Sequence, residues 1–150
     1  TLNRDKKIVA SILASGGGLS NPEVDDFFHF FGGGLPGIKG YTFYDSTLTG
    51  PYYLIGTAAM RFPLFIEKNY SLAQFNFQNL SLGGIFQFGG IVKENINEFA
   101  DNYKLSAGLE CRLNGFSFYS YPTAIAYEYH QSINDSNEKG KHYFTLLFDY

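Results

Sequence analysis

The chain has 150 residues and a net charge of −3. That is one domain's worth of sequence, 1–150, with no basic surplus to favour nucleic acid. Its one cysteine, Cys111, excludes an internal disulfide and a cysteine-built zinc site.

Taken from the first residue, the chain opens on Thr1 with no charged-then-apolar leader, which fits a processed chain or a piece of a longer one. Helical periodicity is nearly absent, and six runs with a period of two predict strands. The first is KKIVASILASGGG (6–18). A long connection, 19–50, follows, holding GGGLPGIKGYTFYDS at 32–46. The second run, YYLIGTAAMRFPLFIE (52–67), sets Leu54, Ala58, Met60, Phe62 and Leu64 on one face and Tyr53, Ile55, Thr57, Ala59 and Arg61 on the other. LAQFNFQN, just before the third run, alternates but is assigned to a turn. In the third, LSLGGIFQFGGIV (80–92), Leu80, Leu82, Phe86 and Phe88 oppose Ser81, Gly83 and Gln87. VKENINEFADNYK (92–104) is polar and reads as a loop.

The fourth run, KLSAGLECRL (104–113), alternates most clearly. Leu105, Ala107, Leu109, Cys111 and Leu113 oppose Ser106, Gly108, Glu110 and Arg112, and Cys111 is expected as a small buried hydrophobe. Asn114-Gly115 reads as a short turn. The fifth run is YPTAIAYEYHQ (121–131), with Ile125, Tyr127 and Tyr129 against Ala126, Glu128 and His130. The sixth, KHYFTLLFDY (141–150), places Phe144, Leu146, Phe148 and Tyr150 on one face.

No apolar run is long enough for a transmembrane helix, but a membrane barrel strand needs only about ten residues. The strands are long, and short connections alternate with long ones, as in outer-membrane barrels. On that reading the Leu/Phe/Tyr face meets lipid, and the face with Gly, Ser, Gln, Glu and Arg lines a lumen. A soluble β-sandwich alternates too, with its apolar face inside. Six strands are too few to close a transmembrane barrel, which starts at eight, so further strands are expected upstream or from a partner chain. The last residues, Phe144, Leu146, Phe148 and Tyr150, follow the spacing of an outer-membrane sorting signal, with Thr145 where glycine is usual.

The glycine-rich stretch does not read as a phosphate loop, because no helix pattern follows Gly40 and no Gly-Lys-Ser/Thr ending is present. It fits another pattern. FHFFGGGLPGIKGY followed by GPYYLIGTAAMRFPLF resembles the sixth-loop region of the BamA/TamA outer-membrane assembly superfamily. In that family an aromatic–Gly-Gly stretch leads to a Val-Arg-Gly-Phe/Tyr tetrad, matched here by Ile38, Lys39, Gly40 and Tyr41. The next strand often reads Glu-x-Arg-Phe-Pro-Leu, matched by Arg61, Phe62, Pro63 and Leu64. LGGIFQFGGIV, YKLSAGLECRL and the terminal strand resemble the strands that follow. FYSYPTAIAYEYH is similar to barrels fused behind TolB-like periplasmic proteins.

The resemblance implies the C-terminal portion of an antiparallel transmembrane β-barrel in a Gram-negative outer membrane, about six strands, with a long Gly-rich loop folding into the lumen. It implies a non-enzymatic role: insertion or translocation of other proteins, or anchoring of a periplasmic domain. Its partners would be outer-membrane lipid and client or periplasmic proteins. Family members hold an arginine at the loop tip against an acid on the lumen wall. Here Lys39 stands at the tip and Gln87 in the acid's place, so Lys39 is expected near Glu110 or Gln87, with Arg112 beside Glu110.

The remaining residues suggest no chemistry. His29, His130 and His142 lack metal-ligand spacing, and no cofactor or small-molecule substrate is expected. A glycosidase-like pair of Glu110 and Glu128 would need a cleft that nothing implies, and no serine sits in a nucleophile elbow. The rival from another class is a soluble secreted β-sandwich or barrel that binds a ligand or glycan through its aromatic residues.

Overall fold

A computed structural model describes residues 8–21, 23, 25–65, 70–92, 99, 102–118, 121–135 and 137–148. Its chain order is β1 (Val9–Gly18), β2 (Phe30–Phe31), β3 (Thr49–Gly50), β4 (Tyr52–Phe65), β5 (Tyr70–Leu72), β6 (Phe75–Val92), β7 (Lys104–Ser117), β8 (Tyr121–Ser132) and β9 (Lys141–Phe148). The architecture is all-β. Seven strands form one antiparallel sheet in the order β1-β4-β6-β7-β8-β9, with β5 paired to β6, while β2 and β3 make a small separate ribbon.

The alternation read from sequence sets the two faces. In β7 the cross-strand rows run Gly84–Leu109–Tyr129 on one face and Gly83–Glu110–Glu128 on the other. The sheet curls so strongly that Ser11 and Leu13 of one edge strand line the same cavity as Thr145 and Leu147 of the other. Among the described residues the sheet does not close: β1 and β9 remain its edges.

The concave face carries Thr57, Gln87, Ser106, Glu110, Glu128 and His130, most of them buried. The convex face carries Leu54, Met60, Phe62, Leu82, Phe86, Phe88, Leu109, Tyr127 and Phe144, all exposed. The contrast is sharpest between neighbours in β7, where Leu109 is 69% exposed and Glu110 is 3% exposed. A sheet folded around a dry interior would show the opposite arrangement.

Several expectations need correction. LAQFNFQN turns only at its second and third residues: Leu72 ends β5, and Phe75 onward belongs to β6, which runs to 18 residues. The hairpin turn sits at Ala73-Gln74, with Ala73 at φ 53°. Asn114-Gly115 is strand rather than turn, because Asn114 pairs with both Asn79 and Ala124. Gly115 is needed there for close approach, since a Cβ would lie 2.1 Å from the Asn76 carbonyl oxygen. Cys111 is exposed on the convex face, not buried. The loop expected at 92–104 falls largely outside the described residues.

The described residues of the long connection 19–50 are ordered by their own contacts. Asp25 caps one 3-10 turn by accepting from the Phe27 amide at 2.9 Å, and Asp45 caps a second from the Thr47 amide at 2.8 Å. Between them the glycine-rich loop folds back over the concave face. Ile38, Tyr41 and Leu48 pack there against Ile55 of β4, with Tyr53 beside them.

Candidate functional site

The glycine-rich loop doubles on itself before it reaches the sheet. The Gly32 amide donates to Leu48 O at 2.8 Å, and the Ile38 amide donates to Gly32 O at 2.7 Å. This crossing leaves no room for a side chain at residue 37, where a Cβ would sit 2.1 Å from Gly32 O. Gly40 takes φ 94°, a left-handed conformation that favours glycine.

Those turns deliver the four tip residues to separate partners. Ile38 is fully buried in the loop–sheet core. The Lys39 amide donates to Gln87 Oε1 at 2.9 Å, while Gln87 Nε2 donates to Thr57 Oγ1 at 3.1 Å. A neutral amide can accept from one side and donate to the other, which a carboxylate cannot. The Lys39 ammonium donates to Glu128 Oε2, and His130 Nε2 lies 2.8 Å from that same oxygen. The Gly40 amide donates to the Tyr143 hydroxyl at 3.0 Å. Tyr41 donates its hydroxyl hydrogen toward Leu105 O at 3.0 Å and Asn134 Oδ1 at 2.7 Å.

Glu110, expected as a partner for Lys39, is engaged elsewhere. Arg61 Nε donates to Glu110 Oε2 at 2.8 Å, and Arg112 Nη1 lies 3.6 Å from Glu110 Oε1. Gly83 stands between Arg61 and Glu110 in the cross-strand row, and its missing side chain lets Arg61 reach across. Glu110 and Glu128 face each other directly, two like charges in one row. Arg61 balances the first and Lys39 the second.

His130, Tyr143, Asn134 and Arg61 were not singled out for this site from sequence. One signal for His130 was present: its cross-strand neighbour is Gly108, where a Cβ would meet the imidazole at 2.5 Å. An inward glycine beside a bulky polar residue marks space kept for that ring.

Asn134 and Glu138, from the connection between β8 and β9, bond to the end of the loop at Tyr41 and Thr42. Asn134 Nδ2 donates to Tyr103 O at 2.6 Å, and its Oδ1 also accepts the Leu105 amide at 2.9 Å. Lys141 Nζ donates to Glu138 at 2.8 Å and to Thr42 Oγ1 at 2.8 Å. Burial pushes the Tyr41 phenol up to about 12, against the lowering effect of its bond to Leu105 O. The Asn137 amide, then the Lys104 ammonium 3.2 Å away, hold the Asp135 carboxyl below its ordinary value.

Phe144, Leu146 and Phe148 share the exposed convex face of β9, and Tyr150 lies outside the described residues. His142 is on that face as well, with its Nδ1 2.7 Å from the Tyr127 hydroxyl. Among the described residues no group of three His, Cys, Asp or Glu side chains is placed to hold a metal. No protein-family model, curated protein or solved structure matches this chain.

Proposed function

We propose that this chain is the C-terminal portion of a bacterial outer-membrane β-barrel of the BamA/TamA-like kind, non-enzymatic, with its glycine-rich loop fixed inside the lumen. The observation that carries the reading is the inversion of the sheet: apolar side chains exposed on the convex face, ion pairs and amides buried on the concave one. Lipid is the solvent that makes such a sheet stable.

The dimensions agree. The convex apolar set of β4 runs from Tyr52 to Leu64. Twelve steps of about 3.3 Å, tilted by about 45°, span roughly 28 Å, close to the apolar band of about 25 Å on membrane barrels. Further strands are needed between β9 and β1, since an open edge is not tolerated in lipid.

Within this class two roles are open: insertion or translocation of other proteins, and anchoring of a periplasmic domain. The loop tip is bonded to β6, β7, β8 and β9 at once. A plug tied to four strands supports the anchoring role, because a translocation path would require all these bonds to release together.

The absence of tryptophan from the chain gives a clean test. Tryptophan is placed at Leu109 on the convex face or at Ala126 on the concave face, and each variant is folded into vesicles containing brominated lipid. Quenching of Leu109→Trp with little quenching of Ala126→Trp is expected. Equal quenching of both, or a chain that stays folded and dispersed without detergent or lipid, would overturn the reading in favour of a soluble sheet protein.

A further inference from the structure

We propose that the cavity beneath the loop binds a small oxyanion. The cavity measures about 210 Å³, several times the roughly 30 Å³ of a water molecule in the liquid. It lies on the concave face, against the loop tip and not against the convex apolar surface. Its lining comes from the loop tip and the concave side of the sheet.

Its charges do not balance. Among the described residues, Lys39, Arg61 and Arg112 line the cavity with Glu110 and Glu128, three cations against two carboxylates. Each carboxylate is already shared. Glu128 Oε2 accepts from Lys39 and lies 2.8 Å from His130 Nε2. Glu110 holds Arg61 tightly at 2.8 Å but Arg112 only at 3.6 Å, beyond a normal hydrogen bond. Arg112 is therefore the cation in excess. Its Nε is buried and has no hydrogen-bond partner among the described residues.

Arg112 lines the cavity, keeps 26% of its side chain exposed and is only loosely paired, so an anion entering the cavity gains a charged hydrogen bond from it. Guanidinium groups favour paired oxygens over a spherical ion, because their N–H bonds form a fixed fork. Thr57 and Ser11 add hydroxyl donors to the same wall. The arrangement suits a phosphate-like or carboxylate group of one or two charges, with Arg112 as its main contact and Lys39 and Arg61 supplying field.

The test is calorimetric titration of the full-length folded protein with inorganic phosphate at fixed ionic strength, with chloride as the comparison ion. Binding by the wild type is expected, weakened about tenfold or more in Arg112→Gln, the scale of losing a charged hydrogen bond. Glu110→Gln removes a competing carboxylate and is expected to bind phosphate more tightly. Circular dichroism establishes that each variant is folded, and if Glu110→Gln is not, the wild type and Arg112→Gln decide the matter. No binding by the wild type, equal competition by chloride, or unchanged affinity in Arg112→Gln would overturn the proposal. So would a folded Glu110→Gln that binds phosphate no better.

Discussion

Met60 and Leu54 both lie on the convex face of β4 and are equally exposed, at 47% and 46%. In water, arginine at either position has the same small effect. Roughly half of each side chain is already solvated, and surface changes of this kind fall within about 0.5–1 kcal/mol. In a bilayer the two positions differ. Leu54 is the third residue of β4 and Met60 the ninth of fourteen. Six residues at about 3.3 Å and about 45° of tilt put them roughly 14 Å apart along the membrane normal, about half the apolar band. Arginine costs about 2–4 kcal/mol near the midplane of a barrel and about 0–1 near its rim. Met60→Arg is therefore expected to destabilise by about 2 kcal/mol more than Leu54→Arg. The measurement is reversible unfolding by guanidinium in phospholipid vesicles. Equal costs at the two sites, or both below about 0.5 kcal/mol, would refute the orientation of the whole sheet.

Three further outcomes follow from the loop tip. Glu128→Leu strands the Lys39 ammonium beside a wet cavity, so a loss near the lower end of the 3–5 kcal/mol range is expected. Lys39→Met in the same chain should recover most of it, read as hydrogen exchange of the Lys39 and Gly40 amides. Gly40→Ala forces a side chain into a left-handed backbone, 3.2 Å from the Ser132 nitrogen, and is expected to cost about 1–3 kcal/mol in unfolding experiments. The Tyr41 phenol stays neutral in the fold beyond its ordinary ionisation. Its contribution is thus complete below about pH 10 and is lost as pH rises through about 12. An ultraviolet difference titration of wild type against Tyr41→Phe should show one late phenol, and a midpoint near 10 would contradict the burial of this side chain.

The period-two pattern made the strands and their two faces legible, because Ser106, Glu110 and Arg112, three of the four inward positions in that part of β7, are polar between apolar outward neighbours. Turn placement was not legible in the same way. Asn114-Gly115 has the dipeptide of a hairpin but is paired on both sides. The true turn at Ala73 holds a positive φ without glycine or asparagine. Sequence separation also hid the ion-pair partners. Glu110 and Glu128 look equivalent as inward carboxylates on neighbouring strands. They become distinct only through register, which sets Gly83 between Arg61 and Glu110 and leaves Glu128 to the loop. His130 could be read as inward, but that it shares an oxygen with Lys39 depends on where a loop 89 residues away from Glu128 in sequence comes to rest.

On the proposed family reading Lys39 and Gln87 stand where an arginine and an acid would be expected, and the geometry gives both residues a common reason. A guanidinium fork is best matched by both oxygens of one carboxylate. Glu128 presents its Oε2 to Lys39 while that oxygen also lies against His130 Nε2. A compact ammonium can share a single oxygen with a second donor, which a fork does poorly. With the charge met on β8, the residue facing the tip from β6 is free to be neutral. Gln87 then accepts the Lys39 amide and donates to Thr57, fixing the backbone of the tip instead of its charge. The hold on the loop is divided between two strands, one for the main chain and one for the side chain. Replacing Lys39 with arginine should therefore weaken the hold rather than restore it, by crowding His130 off Glu128. Faster exchange of the Gly40 amide in Lys39→Arg than in wild type is the expected result, and slower exchange would show that the lysine is merely a weaker version of the fork.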